Sequence, residues 1–153
     1  MRFSFILLAG GNSSRFKSNI PKQYNKIAGK TLIDISINKI RTFKEITKIV
    51  LVYNKEHKKY LKKINLKDVK LIVGGRNRNN STLKALSFLK KQNIKSKVLI
   101  HDAARPNFSK KLIKNIIINS IQNRAVVPVL KIQDALKERQ KKKFLILKEI
   151  IFF

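Results

Sequence analysis

The feature that most constrains this chain is an alternation of apolar runs with helical stripes, in which the unusual residues gather where the runs end. Phe3–Ala9 is apolar apart from Ser4 and closes on Gly10-Gly11. A short apolar run bounded by glycine reads as a buried strand. A long polar loop follows through Lys30, and Thr31 then caps a helical segment with Ile33, Ile37 and Ile40 on one face. Ile46–Tyr53 reads as a second strand, and His57, Leu61 and Ile64 stripe a basic amphipathic helix. Val69–Val73 is a third strand ended by Gly74-Gly75, and Leu83, Leu86 and Leu89 mark a third helix with Asn80 or Ser81 near its start. Val98–Ile100 is a fourth strand. Ile113, Ile117 and Ile121 stripe a fourth helix, and Ala125–Leu130 reads as a fifth strand. Strands alternating with helices predict an α/β protein: a mainly parallel sheet with helices on both faces. Such sheets bind ligands beyond the carboxyl ends of their strands. Gly10-Gly11, Gly74-Gly75 and His101-Asp102 all fall there.

Length and composition narrow the class. At 153 residues and 43% hydrophobic, the chain suffices for one domain with a real core. It has no cysteine, which excludes disulfides and thiolate–metal sites and agrees with a reducing, cytoplasmic location. The opening MRFSFILLAGG has the outline of a weak signal peptide, but its short run leads into a glycine turn and reads as a first strand. No stretch reaches the run of about 18 apolar residues that a membrane helix needs. The formal charge of +28 would suit a polyanion such as nucleic acid, an acidic membrane surface or a phosphorylated substrate. The lysines are spread along the whole chain and lack the interleaved aromatics of a single-strand binder, so the charge reads as composition, and nucleic acid is not the expected partner. The carboxylates are Asp34, Glu45, Glu56, Asp68, Asp102, Asp134, Glu138 and Glu149, and any carboxylate ligand to a metal comes from these.

Three clusters carry chemistry. In Ala9-Gly10-Gly11-Asn12-Ser13-Ser14-Arg15, followed by Pro21-Lys22-Gln23-Tyr24, small residues let backbone N–H groups approach phosphates. Arg15 and Lys22 add two cations, and phosphoryl transfer depends on positioning and on neutralising charge at the transferred group. The loop matches neither the Walker A nor the G-x-G-x-x-G pattern; as a bare strand–turn with scattered lysines it would carry no chemistry. Gly74-Gly75-Arg76-Asn77-Arg78-Asn79-Asn80-Ser81 ends at a helix N-terminus, a natural site for a polar ligand or simply a capped turn. In His101-Asp102-Ala103-Ala104-Arg105-Pro106, Asp102 stands at a strand tip, where one carboxylate suits a magnesium ion that takes its other ligands from phosphates, or pairs with Arg105. His101 and His57 read as packed, structural histidines.

In this order the clusters resemble the 2-C-methyl-D-erythritol 4-phosphate cytidylyltransferase family: Ala9 through Arg15, Pro21-Lys22-Gln23, Gly74 through Ser81, and the more specific His101 through Pro106. The resemblance runs from residue 1 to about 138 and implies a doubly wound, Rossmann-like nucleotidyltransferase fold. It implies Mg2+-dependent transfer of a cytidylyl group from CTP to 2-C-methyl-D-erythritol 4-phosphate, with release of pyrophosphate, in non-mevalonate isoprenoid synthesis. By the match, Arg15 and Lys22 stabilise charge at the α-phosphorus; Ala9, Gly10, Gly11, Gly75, Ser81 and Ala103 contact the nucleotide; Asp102 holds magnesium; and Arg105 lies near the sugar phosphate. It further implies a homodimer whose arm, beginning in 131–153, completes the neighbour's substrate site. One departure is the stretch Pro128 through Lys137, with two extra residues and Ala135 where the family carries a substrate-binding Thr. By the same match the chain is expected to stop inside the arm, as a single domain incomplete at its C-terminus, short of an Arg and a late Lys that position the attacking phosphate. The rival readings are a cytidylyltransferase for another polyol phosphate, such as ribitol 5-phosphate, a basic non-catalytic nucleic-acid-binding domain, and a degenerate subunit that only dimerises.

Overall fold

The architecture is that of a computed structural model, which describes residues 1–13 and 18–130 together with the backbone of 136–140 and 143–147. The chain divides into two compact units, Met1–Lys110 and Lys111–Phe153.

The first unit is built on four parallel strands: β1 (Phe3–Ala9), β4 (Ile46–Tyr53), β5 (Val69–Val73) and β6 (Lys97–Asp102), in the order β5-β4-β1-β6. The chain moves outward from β1 through β4 to β5, then returns to place β6 on the other side of β1. That reversal makes the β1/β6 boundary the topological switch point of a doubly wound sheet. Every residue of β1 is buried, which is why its sequence does not alternate. Its one polar member, Ser4, has its hydroxyl paired with that of Ser96 at 2.7 Å. The strand predicted over Val98–Ile100 extends by a residue at its start and two at its end.

The faces divide by parity along β1. Ile6 and Leu8 pack with Val50 and Val52 of β4 against Ala85 and Leu89 of α3 (Arg78–Lys91). Fully burying each large side chain of this cluster stabilises by about 1.5–3 kcal/mol. On the other parity, Phe5 stacks on Phe108, whose ring lies 4.9 Å from Lys39 Nζ of α1 (Leu32–Ile40). Lys39 also donates to the carbonyls of Pro106 and Phe108, each at 2.9 Å. Helix α1 starts as its sequence predicts: the Thr31 hydroxyl accepts the Asp34 N–H, and the Asp34 carboxylate accepts the Thr31 N–H in return. Ahead of it, β2 (Lys26–Ile27) and β3 (Lys30–Thr31) form a minimal antiparallel hairpin.

Three local expectations are corrected. The cap of α3 is Asn77, not Asn80 or Ser81, and its side chain accepts the Asn80 N–H at 2.8 Å. The buried stripe of that helix is Ser81, Ala85 and Leu89, while Leu83 is exposed. The amphipathic segment at His57, Leu61 and Ile64 buries those residues, but it folds as a 3-10 turn (Lys55–His57) and a single turn of helix, α2 (Lys58–Leu61).

In the second unit, α4 (Lys110–Asn119) buries Ile113 and Ile117, whereas Ile121 lies beyond its end and is exposed. The fifth strand expected over Ala125–Leu130 does not form: the segment is unpaired, and Val127, Val129 and Leu130 are exposed. An apolar run becomes a strand only where a sheet edge accepts its N–H and C=O groups, which no pattern within the run encodes. In the tail, β7 (Leu136–Gln140) pairs antiparallel with β8 (Lys143–Leu147).

Candidate functional site

Register brings the strand tips level. Ala9 is opposite Tyr53, Tyr53 opposite Val73, and Leu8 opposite Asp102. The residues that follow, Gly10-Gly11, Asn54-Lys55, Gly74-Gly75 and Ala103-Ala104, therefore leave the sheet at one edge. All of these but Ala103 line a cleft of about 1000 Å³. Its walls include Ala9, Gly10, Gly11, Lys22, Gly75, Ser81, Asp102 and Arg105. Eight of the ten residues singled out in the sequence thus share one cavity. Ala103 does not line it: Ala103 is fully buried, its N–H continues the ladder to the Leu8 carbonyl at 2.8 Å, and Ala104 faces the cleft instead. Arg15 lies outside the described residues.

Each wall has a local cause. On the first, Gln23 is buried beneath the glycine loop and donates to the Ala9 and Gly11 carbonyls, each at 2.8 Å. The Ser13 hydroxyl donates to Gln23 Oε1 at 3.2 Å and accepts the Lys22 N–H at 2.9 Å. On the second, the Ser81 hydroxyl accepts the Gly75 N–H at 3.0 Å, tying the loop to the first turn of α3. Gly75 is required here by space: a Cβ would lie 2.5 Å from that of Asn80 and 3.0 Å from the Asn80 carbonyl carbon. Asn54, at the tip of β4, donates to the Asn12 side chain at 2.7 Å and joins the first loop to its neighbour.

The charge on the walls is one-sided. Lys22, Lys55, Arg76, Arg78 and Arg105 line the cleft, and Asp102 is the one carboxylate among the described lining residues. A concave wall of this composition concentrates positive potential and favours a polyanion. Asp102 meets Arg78 Nε at 3.2 Å and Arg105 Nε at 3.6 Å. Both arginines are mostly exposed, so these pairs contribute little to stability. Among the described residues no group of three metal-ligating side chains occurs. A single, partly exposed carboxylate in a cationic cleft fits a magnesium ion that takes most of its ligands from bound phosphates and water.

The two histidines sit outside the cleft walls. His101 Nε2 is 2.8 Å from the Arg105 carbonyl, and its ring lies edge-on to Phe108, so it braces the turn after β6. His57 is buried edge-on to Tyr24. Burial lowers its pKa below the usual histidine range; Glu56 opposes that shift and Lys59 adds to it. Burial likewise raises the Tyr24 phenol, with smaller contributions from Tyr53 and Tyr60.

Sequence reasoning gave no role to Asn54 and Lys55, to Arg78 or to Gln23. The first two could have been found by applying the strand-tip rule to Ile46–Tyr53 as well. Gln23 was marked only as a member of the Pro21-Lys22-Gln23 motif, and its role was not legible, because only the tertiary fold puts two backbone carbonyls beneath the glycine loop within its reach.

A four-stranded parallel sheet that reverses direction beside β1, with helices on both faces and small-residue loops at its carboxyl edge, is a doubly wound, Rossmann-like α/β fold of the nucleotidyltransferase type. Residues 3–149 match the family described as 2-C-methyl-D-erythritol 4-phosphate cytidylyltransferase, and the chain belongs to that family. It is 45% identical over 139 residues to the bifunctional enzyme IspD/IspF of Pelagibacter ubique, covering 91% of this chain and 37% of that protein. It is 35% identical over 117 residues to the bifunctional ribulose 5-phosphate reductase/CDP-ribitol pyrophosphorylase Bcs1 of Haemophilus influenzae, covering 73% of this chain and 25% of that one. Among solved structures, the bifunctional IspDF of Campylobacter jejuni superposes with a TM-score of 0.77 at 30% identity, covering 95% of this chain and 39% of that one. The chain thus spans well under half the length of these relatives. Among the described residues, no helix is long and apolar enough to cross a membrane.

Proposed function

We propose that the cleft binds CTP and serves cytidylyl transfer to 2-C-methyl-D-erythritol 4-phosphate. The observation that carries this reading is the convergence of the Gly10-Gly11, Gly74-Gly75 and Asp102 strand tips on one cationic cavity, in a member of that family. An oxygen of the acceptor phosphate bonds to the α-phosphorus of CTP. The bridging P–O bond to the β-phosphorus breaks, and pyrophosphate leaves with that electron pair. Lys22 and Arg15 neutralise charge developing at the α-phosphorus, where fixed cations act most strongly. The small residues Ala9, Gly10, Gly11 and Gly75 admit the nucleotide close to the backbone, with Ser81 holding the second loop and Ala103 anchoring the turn after β6. Arg105 faces the acceptor phosphate. Asp102 would hold magnesium, which when bound offsets phosphate charge and orients the leaving group.

The same proposal includes a cytoplasmic homodimer. It is supported by the absence of cysteine and by the β7–β8 hairpin falling in the span that the family resemblance assigns to a dimerisation arm. A second reading, transfer to ribitol 5-phosphate, is favoured by the likeness to the Haemophilus influenzae CDP-ribitol pyrophosphorylase. The test is thermal unfolding with CTP and Mg2+, followed by turnover with each polyol phosphate. CTP should raise the melting temperature, and Lys22→Ala and Arg15→Ala should remove turnover. No shift with CTP, alongside tight, salt-sensitive binding of duplex DNA, would replace this reading with a nucleic-acid-binding one.

A further inference from the structure

We infer that Gln23 is the positioning residue that shapes the first loop into a phosphate cradle, an inference that rests on the nucleotide reading above. The residue beside it, Lys22, carries the charge, yet Gln23 is the one that is buried, with only 3% of its surface exposed. A buried side-chain amide must satisfy two donors and an acceptor. Gln23 does so wholly on the loop: Nε2 donates to the Ala9 and Gly11 carbonyls, and Oε1 accepts the Ser13 hydroxyl. Because Ser13 in turn accepts the Lys22 N–H, the network closes back on the segment that carries Gln23.

The consequence is an inversion of the backbone's polarity at the cleft. Alternate carbonyls of the loop, those of Ala9 and Gly11, are occupied by Gln23. Among the described residues, no acceptor takes the N–H of Gly10, Gly11, Asn12 or Ser13. Four successive residues lining a cationic cleft thus keep their donors unspent. Ser13 is held at φ 55°, a left-handed conformation that a serine adopts at some cost and that the two bonds to its hydroxyl help hold. Unpaired successive N–H groups around a left-handed residue form an anion-binding concavity. Without the Gln23 amide, the Ala9 and Gly11 carbonyls lose these partners, and the loop keeps only its bonds through Asn12 to Asn54 and through Ser13 to the Lys22 N–H.

The cradle recognises phosphate and not the base, and that separates this role from general support of the fold. Binding of inorganic tripolyphosphate, CTP and cytidine to the full chain would be measured by calorimetry for the unaltered protein, Gln23→Met and Ser13→Ala. Gln23→Met, close in size but unable to donate, should weaken tripolyphosphate and CTP at least tenfold while leaving cytidine within twofold. Ser13→Ala, which removes both hydroxyl bonds of a partly exposed residue but leaves the Gln23 bonds to the two carbonyls, should show the same pattern at about threefold, and it serves if the methionine variant does not fold. Folded variants that bind tripolyphosphate as the unaltered chain does would overturn the inference, as would equal losses for cytidine and tripolyphosphate. If the unaltered chain binds neither CTP nor tripolyphosphate, the nucleotide reading has failed first and the role given to Gln23 falls with it.

Discussion

Gly75→Ala and Gly11→Ala form a matched pair, because both add one methyl to a cleft loop and the structure assigns them opposite outcomes. At Gly75 the new Cβ would meet Asn80 Cβ at 2.5 Å and the Asn80 carbonyl carbon at 3.0 Å. The obstacle is the first turn of α3, which cannot swing aside as a flexible side chain can. Forcing a methylene into such a contact costs about 1–3 kcal/mol. Moving the loop to relieve it breaks the Gly75 N–H bond to Ser81 Oγ, worth about 1 kcal/mol. The expected loss is therefore roughly 2–4 kcal/mol. At Gly11 a Cβ meets nothing within 4 Å. That substitution should be neutral, or stabilising by up to about 1 kcal/mol through the unfolded chain. For a chain of this length, about 2–4 °C of melting temperature accompanies each kcal/mol. The two variants should then melt on the order of 10 °C apart when followed by far-ultraviolet circular dichroism. Equal melting temperatures would refute the claim that the second loop is set by its contact with α3.

Three further outcomes follow from the structure. His57 is buried with its pKa lowered, so the folded state resists a proton that the unfolded state accepts; stability is full above the ordinary histidine range and falls as the pH drops through it toward the folded pKa. Urea midpoints between pH 7.5 and 5 should show that decline, and His57→Phe should flatten it. Asn77→Ala removes the cap of α3 and should cost about 1 kcal/mol in chemical denaturation. Asp102→Asn should abolish the magnesium dependence of CTP binding, strengthen magnesium-free tripolyphosphate binding by freeing Arg78 and Arg105, and change stability by less than about 1 kcal/mol; an unchanged magnesium dependence in calorimetric titration would remove Asp102 from the metal's ligands.

Local composition alone determined the strands at Phe3–Ala9, Ile46–Tyr53 and Val69–Val73, and the Thr31 cap. In these cases the local pattern agreed with what the fold supplied: each of the three runs has a paired neighbour in the sheet, and the cap needs only residues within one turn. The clusters that line the cleft were legible for a related reason: glycines and cations at the ends of such runs are unusual wherever the strands lie. What lay beyond reach depends on neighbours distant in sequence. Ala125–Leu130 has a strand's composition, but a strand needs an edge to pair with, and the edge belongs to another segment. Asn77 is the cap of α3 because the helix begins at Arg78, which leaves Asn80 and Ser81 inside its first turn, where the Ser81 hydroxyl accepts the Gly75 N–H. Gln23, an ordinary polar residue in a loop by its sequence, acquires its place only when β1 and the 3-10 turn at Lys22–Tyr24 come together and present it with two backbone carbonyls. Propensity acts along the chain over a few residues, whereas the partner of a hydrogen bond or the atom that blocks a Cβ is set by folding across it.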